Sequence, residues 1–306
     1  MKVKDSYHPY AIITIIFWSL AYVFSRLAMQ HFSPYALGFL RYAVASIFLI
    51  AIVIFLRVDP PLVKDIPWFI ASGTAGFFLY MLTFNRGTAM VPSATSSVII
   101  STAPVITALL ARVIYKEKLA IHQWIATAIE FLGIIVLTIW DGNFTINQGI
   151  IWLILASASL SCYNILQRKM SKLYKPLTVT AYSIFAGTIM LCIFLPNAYL
   201  EIKNALPIQF AYIFILGVFA SALAYISWAK AFSKAENTSL VSNYMFVTPF
   251  ITALFGFVFA GEVPDVSTIV GGTIIMCGVL IFFKNSFVKP KNVENYKETS
   301  KPNKHI

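Results

Sequence analysis

The sequence predicts an all-α membrane protein in which ten transmembrane helices form two inverted five-helix repeats around a central cavity. Three observations lead to this fold class: the composition, the recurrence of long apolar segments and an internal repeat. Apolar residues make up 59% of the 306 residues and charged residues only 11%, and the mean hydropathy is +0.78. Such a chain has too little polar surface to cover a soluble core, so the expected solvent is the lipid bilayer.

Long apolar segments recur along almost the whole chain. A helix of about 20 apolar residues, rising about 1.5 Å per residue, is long enough to cross the hydrocarbon core of a bilayer. The predicted spans are residues 9–29, 34–56, 66–86, 92–115, 122–140, 146–167, 176–195, 207–230, 238–260 and 266–283. They leave residues 1–8 as a short head and residues 285–306 as a basic, disordered tail.

The basic residues are distributed unevenly between the two membrane faces. Of the 23 Lys and Arg residues, 19 lie in the head, the tail and the loops on their side, and three lie on the opposite face. Since cytoplasmic loops are enriched in Lys and Arg, both termini are expected in the cytoplasm of a multi-pass protein of the plasma (inner) membrane. Topology and attraction to anionic lipids explain the net charge of +11, so no nucleic-acid partner is expected.

An internal repeat divides the chain into residues 9–145 and residues 146–284. A shift of 145 residues superposes, without gaps, Pro104 on Pro249, Glu117 on Glu262 and Gly133 on Gly278. A shift of 142 residues extends the repeat to the first two spans of each half, where Arg26 meets Arg168. Because each half has an odd number of spans, the second half must enter the membrane from the opposite side. Inverted repeats are typical of secondary transporters, whose similar halves exchange roles between two open states.

Several short patterns resemble a known family. They are Phe17-Trp18-Ser19 in the first span, Arg41-Tyr42 in the second, the proline-centred fourth and ninth spans that end in Glu117 and Glu262, and the glycines of the fifth and tenth spans. Over roughly residues 9–284 the chain is similar to the drug/metabolite transporter superfamily, EamA type. The resemblance implies a ten-helix basket with a central cavity, in a family whose members move amino acids and other small metabolites, often as exporters.

Twelve side chains are predicted to bind substrate in this cavity. Aromatic rings offer apolar surface with a polar edge, and hydroxyl, amide and guanidinium groups at membrane depth offer hydrogen bonds. The same groups also form interfacial belts or bond neighbouring helices, so both interpretations stay open. The predicted residues are Trp18, Tyr22, Arg41, Tyr80, Phe84, Ser101, Tyr163, Asn164, Tyr225, Trp228, Asn243 and Tyr244.

Pro104 and Pro249 are predicted hinges, because each lies near the middle of a span and removes one backbone hydrogen bond. The alternative is a static kink that serves packing only.

Two charges also lie at depth. Arg41 can meet a substrate carboxylate or brace the helices, and Glu130 can couple transport to protons, bind a cation or act as a structural carboxylate. An Arg41–Glu130 ion pair is a further possibility.

The predicted function is a secondary transporter that moves a small metabolite, an amino acid or related compound, by alternating access and in the direction of export. One alternative is a carrier for an organic cation or drug-like amine, held by an aromatic cage with Glu130 as counter-charge. A membrane-embedded enzyme is disfavoured, because the acidic residues are scattered and the four histidines stand far apart. No cofactor or metal is predicted, and the sequence predicts no particular oligomeric state.

Overall fold

The structure, a computed structural model, describes residues 6–117, 120–139 and 148–283, which form helices and connecting turns without a strand. The first residues of the predicted head, the tail at 285–306 and the boundary between the two predicted repeats lie outside the described residues.

Ten helices follow one another in this part of the chain. They are α1 (His8–Ala28), α2 (Pro34–Phe55), α3 (Val63–Thr88), α4 (Ser93–Tyr115), α5 (Ile121–Ile139), α6 (Gln148–Leu173), α7 (Pro176–Ile202), α8 (Pro207–Lys234), α9 (Thr238–Ala260) and α10 (Val266–Phe283). Most predicted span limits fall within a few residues of these bounds. The exceptions are α6, which ends later than predicted, and α7, which continues through a 3-10 turn at Cys192–Phe194 to Ile202.

Eight of the helices described, α1 to α4 and α6 to α9, are long and apolar enough to cross a membrane. They have 21 to 28 residues each, which exceeds the roughly 20 needed for one crossing. The predicted class of multi-pass helical membrane protein is therefore confirmed. The other two helices, α5 and α10, have 19 and 18 residues and pack side by side.

Helices α4 and α9 are interrupted next to their central prolines. In α4, an α-helix over Ser93–Ile100 stops, and a second begins at Ala103 with Pro104 in its first turn. In α9, a 3-10 segment at Asn243–Val247 precedes a helix over Thr248–Phe255 with Pro249 in its first turn. Proline has no N–H to bond the preceding turn and its ring clashes there, so the helix restarts at the proline.

Helices α3 and α8 each contain a π-helical segment, at Thr74–Leu79 and Ile215–Leu223. Each segment follows or contains a glycine in close contact with another helix. A Cβ on Gly73 would lie 2.8 Å from that of Ala186 in α7, and a Cβ on Gly217 would lie 2.7 Å from Cγ1 of Val44 in α2. The wider π turn thus occurs where the backbone approaches a neighbouring helix.

Helices α5 and α10 approach each other through glycines at equivalent places. A Cβ on Gly133 would lie 2.8 Å from the carbonyl oxygen of Gly271, and a Cβ on Gly278 would lie 2.9 Å from that of Ala126. Close backbone approach through small residues is the usual way in which helices pack tightly in lipid. Both contacts repeat at a spacing of 145 residues.

Candidate functional site

A small cavity lies in the middle of the helical bundle, between α1, α2, α3, α4, α6, α8 and α9. Seven of the twelve predicted substrate-binding residues line it: Trp18, Tyr22, Arg41, Tyr80, Phe84, Ser101 and Tyr225. Its other lining residues are Ala21, Ile100, Leu160, Met245 and Thr248. The cavity volume is about 10 Å³, roughly the room that one water molecule needs. A metabolite can enter only after the surrounding helices have moved apart.

Aromatic rings make up much of the cavity wall. Phe84 lies between Tyr22 and Tyr80, with ring centroids 5.2 Å away on both sides, and it stacks on Tyr80 at 24°. Across the cavity, the Trp18 and Tyr225 rings meet edge to face at 5.0 Å. These separations and angles are those of favourable aromatic pairs. The wall can therefore surround an apolar or planar body.

The local backbone explains how these rings reach the cavity. Trp18 and Tyr22 are four residues apart on the straight helix α1 and so share one face. Tyr80 follows the π segment of α3 directly, and Tyr225 comes two residues after the π segment of α8. A π turn holds one more residue than an α turn, so it rotates the side chains that come after it.

Arg41 brings a positive charge to the cavity. The side chain is only 2% exposed, and its Nε donates to Ser221 Oγ at 2.6 Å while Nη2 donates to the Ala220 carbonyl at 3.3 Å. Both acceptors are neutral and belong to the π segment of α8. No carboxylate of the described residues lies within ion-pair distance of Arg41. The Arg41–Glu130 pair considered from the sequence is therefore not formed.

Glu130 lies away from the cavity, in the contact between α5 and α10. It is 1% exposed, and neither carboxyl oxygen has a hydrogen-bond partner among the described residues. A Cβ on Gly278 would lie 2.5 Å from Glu130 Cγ, which places the side chain against α10. In this arrangement Glu130 is not among the residues that line the cavity.

Three of the predicted binding residues, all buried in the bundle, do not line the cavity. Trp228 Nε1 donates to Asn164 Oδ1 at 3.0 Å, and Asn164 Nδ2 donates to Thr107 Oγ1 at 3.3 Å. Tyr163 is fully buried and accepts a bond from Gln167 Nε2 at 2.5 Å. Trp228 and Asn164 use their polar groups to join α8, α6 and α4, whereas the Tyr163 bond stays within α6 and its ring packs against those of Phe77 and Tyr225.

The remaining two predicted residues, Asn243 and Tyr244, belong to the 3-10 segment of α9. Asn243 is 1% exposed and does not line the cavity. Tyr244 bonds the ring of His8 and meets the Tyr7 ring at 90°, at the N-terminal end of α1. A 3-10 turn has fewer residues than an α turn, so side-chain directions expected for a regular helix do not hold here.

Hydroxyl groups bond the backbone next to both proline breaks. Ser161 of α6 donates to the Ala103 carbonyl at 2.9 Å, and Ser19 of α1 donates to the Thr248 carbonyl at 3.4 Å. Ser101, at the break of α4, donates to the Met245 carbonyl of α9 at 3.3 Å. Carbonyls near an interrupted helix need such partners inside a membrane. The two breaks are therefore connected to each other and to α1 and α6.

A polar cluster, here the Glu262 cluster, connects the two halves at one end of the bundle. The Glu262 carboxylate accepts bonds from Ser93 N at 3.1 Å and Ser93 Oγ at 3.3 Å, at the first turn of α4. Arg26 Nε lies 2.8 Å from the same carboxylate, and Nη1 of Arg26 donates to the Val91 carbonyl. An acidic group at a helix N-terminus satisfies free N–H groups and interacts favourably with the helix dipole.

A matching set, here the Glu117 cluster, lies at the opposite end. The Glu117 carboxylate accepts bonds from Thr238 N at 3.3 Å and Thr238 Oγ1 at 2.9 Å, at the first turn of α9. Arg168 donates to the carbonyls of Ala235, at 2.7 Å, and of Glu236. Each of these positions except Ala235 corresponds to one in the Glu262 cluster at a shift of 145 or 142 residues.

Comparison with known proteins gives the same result for both halves of the chain. The model of the EamA-like transporter family matches twice, over residues 6–139 and residues 147–284. The uncharacterized transporter YdfC of Bacillus subtilis is 28% identical over 265 residues, which are 86% of each chain. A probable terminal-alkyne amino-acid exporter of Streptantibioticus cattleyicolor is 28% identical over 88% of this chain and 91% of its own.

Two further likenesses extend this picture. An S-adenosylmethionine uptake transporter of Rickettsia prowazekii is 25% identical over 88% of this chain and 89% of its own. A solved crystal structure has the same fold, with a TM-score of 0.67 at 16% identity over 92% of this chain and 96% of its own. Since the family model covers nearly the whole chain, the protein belongs to the EamA-like transporter family and is a small-molecule transporter, not an enzyme.

Proposed function

We propose that the protein is a secondary transporter that carries a small carboxylated metabolite, an amino acid or related compound, out of the cell by alternating access. The observation that carries this proposal is Arg41. A guanidinium that is 2% exposed and bonds only neutral acceptors among the described residues is costly inside a membrane. A substrate carboxylate that enters the cavity would supply the missing counter-charge.

The proposed architecture is ten transmembrane helices in two inverted halves, residues 9–145 and 146–284. Two observations support it: the family model matches each half separately, and contacts between the halves occur in equivalent pairs. Glu262 bonds the first turn of α4, and Glu117 bonds the first turn of α9. Gly133 and Gly278 likewise approach each other's helices at equivalent points. Such reciprocal contacts are expected from a pseudo-two-fold axis in the membrane plane.

For orientation, the proposal keeps both termini in the cytoplasm and the protein in the plasma membrane. The uneven distribution of Lys and Arg supports it. The Glu117 cluster then faces the cytoplasm and the Glu262 cluster faces outward. Export is favoured by the amino-acid exporter among the relatives, whereas the S-adenosylmethionine relatives are named as uptake transporters.

Alternating access agrees with the small cavity and the two end clusters. Both clusters are formed at once around a cavity of about 10 Å³, as in an occluded state. In the proposal, one cluster opens while the other stays closed, and α4 and α9 bend at Pro104 and Pro249. Glu130 stays the candidate for proton coupling, because it is a buried carboxyl without a partner among the described residues.

Transport by reconstituted protein tests this function. Proteoliposomes are loaded with small carboxylates, amino acids or amines, and release of each is measured with wild type, Arg41→Gln and Arg86→Gln. Arg86 also lies in the bundle but contacts Tyr35 and the Trp152 ring outside the cavity, which makes it a matched control. Arg41→Gln should weaken carboxylate affinity about thirtyfold or more, because removing one partner of a buried charge pair costs about 2–5 kcal/mol. Normal carboxylate transport by Arg41→Gln would refute the proposal.

A further inference from the structure

The charges and hydrogen-bond donors of the cavity distinguish between classes of carboxylated substrate. Arg41 is the charged residue of the described lining, and no lining residue is acidic. A guanidinium has five N–H donors, and the bonds between described residues use only Nε and Nη2. The other N–H groups lack an acceptor in this part of the chain, so a ligand that brings acceptors fits Arg41.

Two further groups in the cavity wall lack partners. Trp18 Nε1 can only donate, and Thr248 Oγ1 can donate or accept; both residues are more than nine-tenths buried, and neither atom has a hydrogen-bond partner among the described residues. Thr248 also begins the second helical segment of α9. The N-terminal end of a helix carries partial positive charge, which adds to the field of Arg41.

An amino acid and its analogue without the amine should differ strongly in how well they fit the charges and hydrogen-bond donors of this cavity. A carboxylate brings acceptors only, whereas an ammonium brings three more donors and a second positive charge close to Arg41. No described carboxylate in the wall can balance that charge, since Glu130 lies in the contact between α5 and α10. The rings of Tyr22, Phe84 and Tyr80 leave room for an apolar or aromatic body once the cavity widens.

We infer that the cavity selects a net-anionic carboxylate with an apolar body and no free ammonium, such as an aryl, branched-alkyl or N-acylated acid, over the zwitterionic amino acid of the same skeleton. This inference rests on the proposed function and narrows its substrate class.

Binding to the purified full-length protein tests the inference with two matched series. The first is 3-phenylpropanoate, L-phenylalanine and 2-phenylethylamine; the second is 4-methylpentanoate, L-leucine and 3-methylbutylamine. In at least one series, the acid should bind at least about tenfold more tightly than the amino acid, and the amine should not bind. If, in every series that shows binding, the amino acid binds as tightly as the acid, the inference is overturned while the proposed function stands. If neither series binds, or only the amines bind, both are overturned.

The variant Trp18→Phe separates recognition from folding. It keeps an aromatic ring but removes the Nε1 donor, which has no partner to lose in the described structure. Acid affinity of the folded protein should fall about fivefold, while the smaller ring lowers the melting temperature to some extent because it leaves a gap beside Tyr225 and Trp228. Unchanged acid affinity in Trp18→Phe would overturn the assignment of this donor to the anion.

Discussion

In the proposed orientation, Glu262→Gln should open the outward end of the transporter. The substitution keeps the shape of the side chain and one acceptor oxygen but removes its charge. The neutral amide can no longer form the ion pair with Arg26, and its bonds to Ser93 are no longer assisted by charge. Because the Glu262 cluster joins α9 and α1 to the first turn of α4, its weakening should favour the outward-open state.

The size of the effect follows from the exposure of the two partners. Arg26 is 38% and Glu262 20% exposed, so the ion pair itself contributes only about 0.2–1 kcal/mol. Charge-assisted hydrogen bonds are about twice as strong as neutral ones, so each of the two bonds to Ser93 loses about 0.5 kcal/mol. The sum is about 1–2 kcal/mol, which changes the ratio of open to closed molecules about fivefold to thirtyfold.

Labelling of a cavity cysteine measures this change. The three native cysteines, Cys162, Cys192 and Cys277, are first replaced, and Ala21→Cys provides one thiol in the cavity wall. A membrane-impermeant maleimide is then applied to intact cells or to inside-out vesicles. In the Glu262→Gln background the labelling rate from outside should rise in proportion to the open fraction.

The matched control is Glu117→Gln, which weakens the other end cluster only through the two bonds that Glu117 Oε1 accepts from Thr238, since Glu117 has no ion pair among the described residues. It should raise labelling from the cytoplasmic side and lower it from outside. Glu201→Gln removes a charge outside the Glu262 cluster, since the Glu201 carboxylate accepts a bond from Ser33 N, and should change neither rate. Faster labelling from the same side in both cluster variants would refute the reciprocal model.

Two further predictions concern packing and the residues that do not line the cavity. Gly278→Ala should lower the free energy of unfolding by about 1–3 kcal/mol, because its Cβ would lie 2.9 Å from a carbonyl oxygen of α5. Melting of the purified protein in detergent measures this loss. The control is Gly272→Ala, whose Cβ would have nothing within 4 Å and which should be neutral. Asn164→Ala should cost about 1–3 kcal/mol of stability, because it removes the acceptor of the buried Trp228 Nε1. The substrate affinity of the folded protein should be unchanged. A lower affinity at an unchanged melting temperature would instead assign Asn164 to the binding site.

Much of the fold could be predicted, because a membrane-spanning helix is defined by the length of its apolar run. The limits of α1 and α9 fall within a residue or two of the predicted spans. The π segments of α3 and α8 could not be predicted in this way. A span that is apolar on all sides shows no alternation of polar and apolar residues, so a change from α-helical to π-helical turns leaves no signal in the hydrophobic periodicity.

The absence of distinct polar and apolar faces in the spans also limited the prediction of the site. Arg41 and Tyr225 were identified because a charge at depth and a match across the repeat are visible in sequence, and both line the cavity. Trp228 and Tyr163 looked equivalent to them, yet Trp228 bonds Asn164 and the Tyr163 ring packs against Phe77 and Tyr225. The direction in which a side chain points within a helical bundle depends on which helices are neighbours, and the composition of a span does not contain that information.

Some functional candidates were missed although a signal existed. Ser93 of the Glu262 cluster superposes on Thr238 at the shift that aligns Glu117 with Glu262, and both are hydroxyl residues at the start of a helix. Scanning the repeat for helix-starting hydroxyls as well as for rare residues would have found this pair.

The packing of α5 on α10 has a consequence for how the chain is made. Glu130 is buried against α10, close to Gly278, and α5 precedes α10 by more than a hundred residues. In the proposed ten-helix arrangement, α5 therefore enters the membrane with a carboxyl group that lacks this packing partner until α10 has been made. A carboxylate in lipid is costly, so the early half of the protein stays open to rearrangement or to a membrane chaperone until α10 arrives. A chain that stops before α10 would be left with this acidic face uncovered and should be removed by quality control.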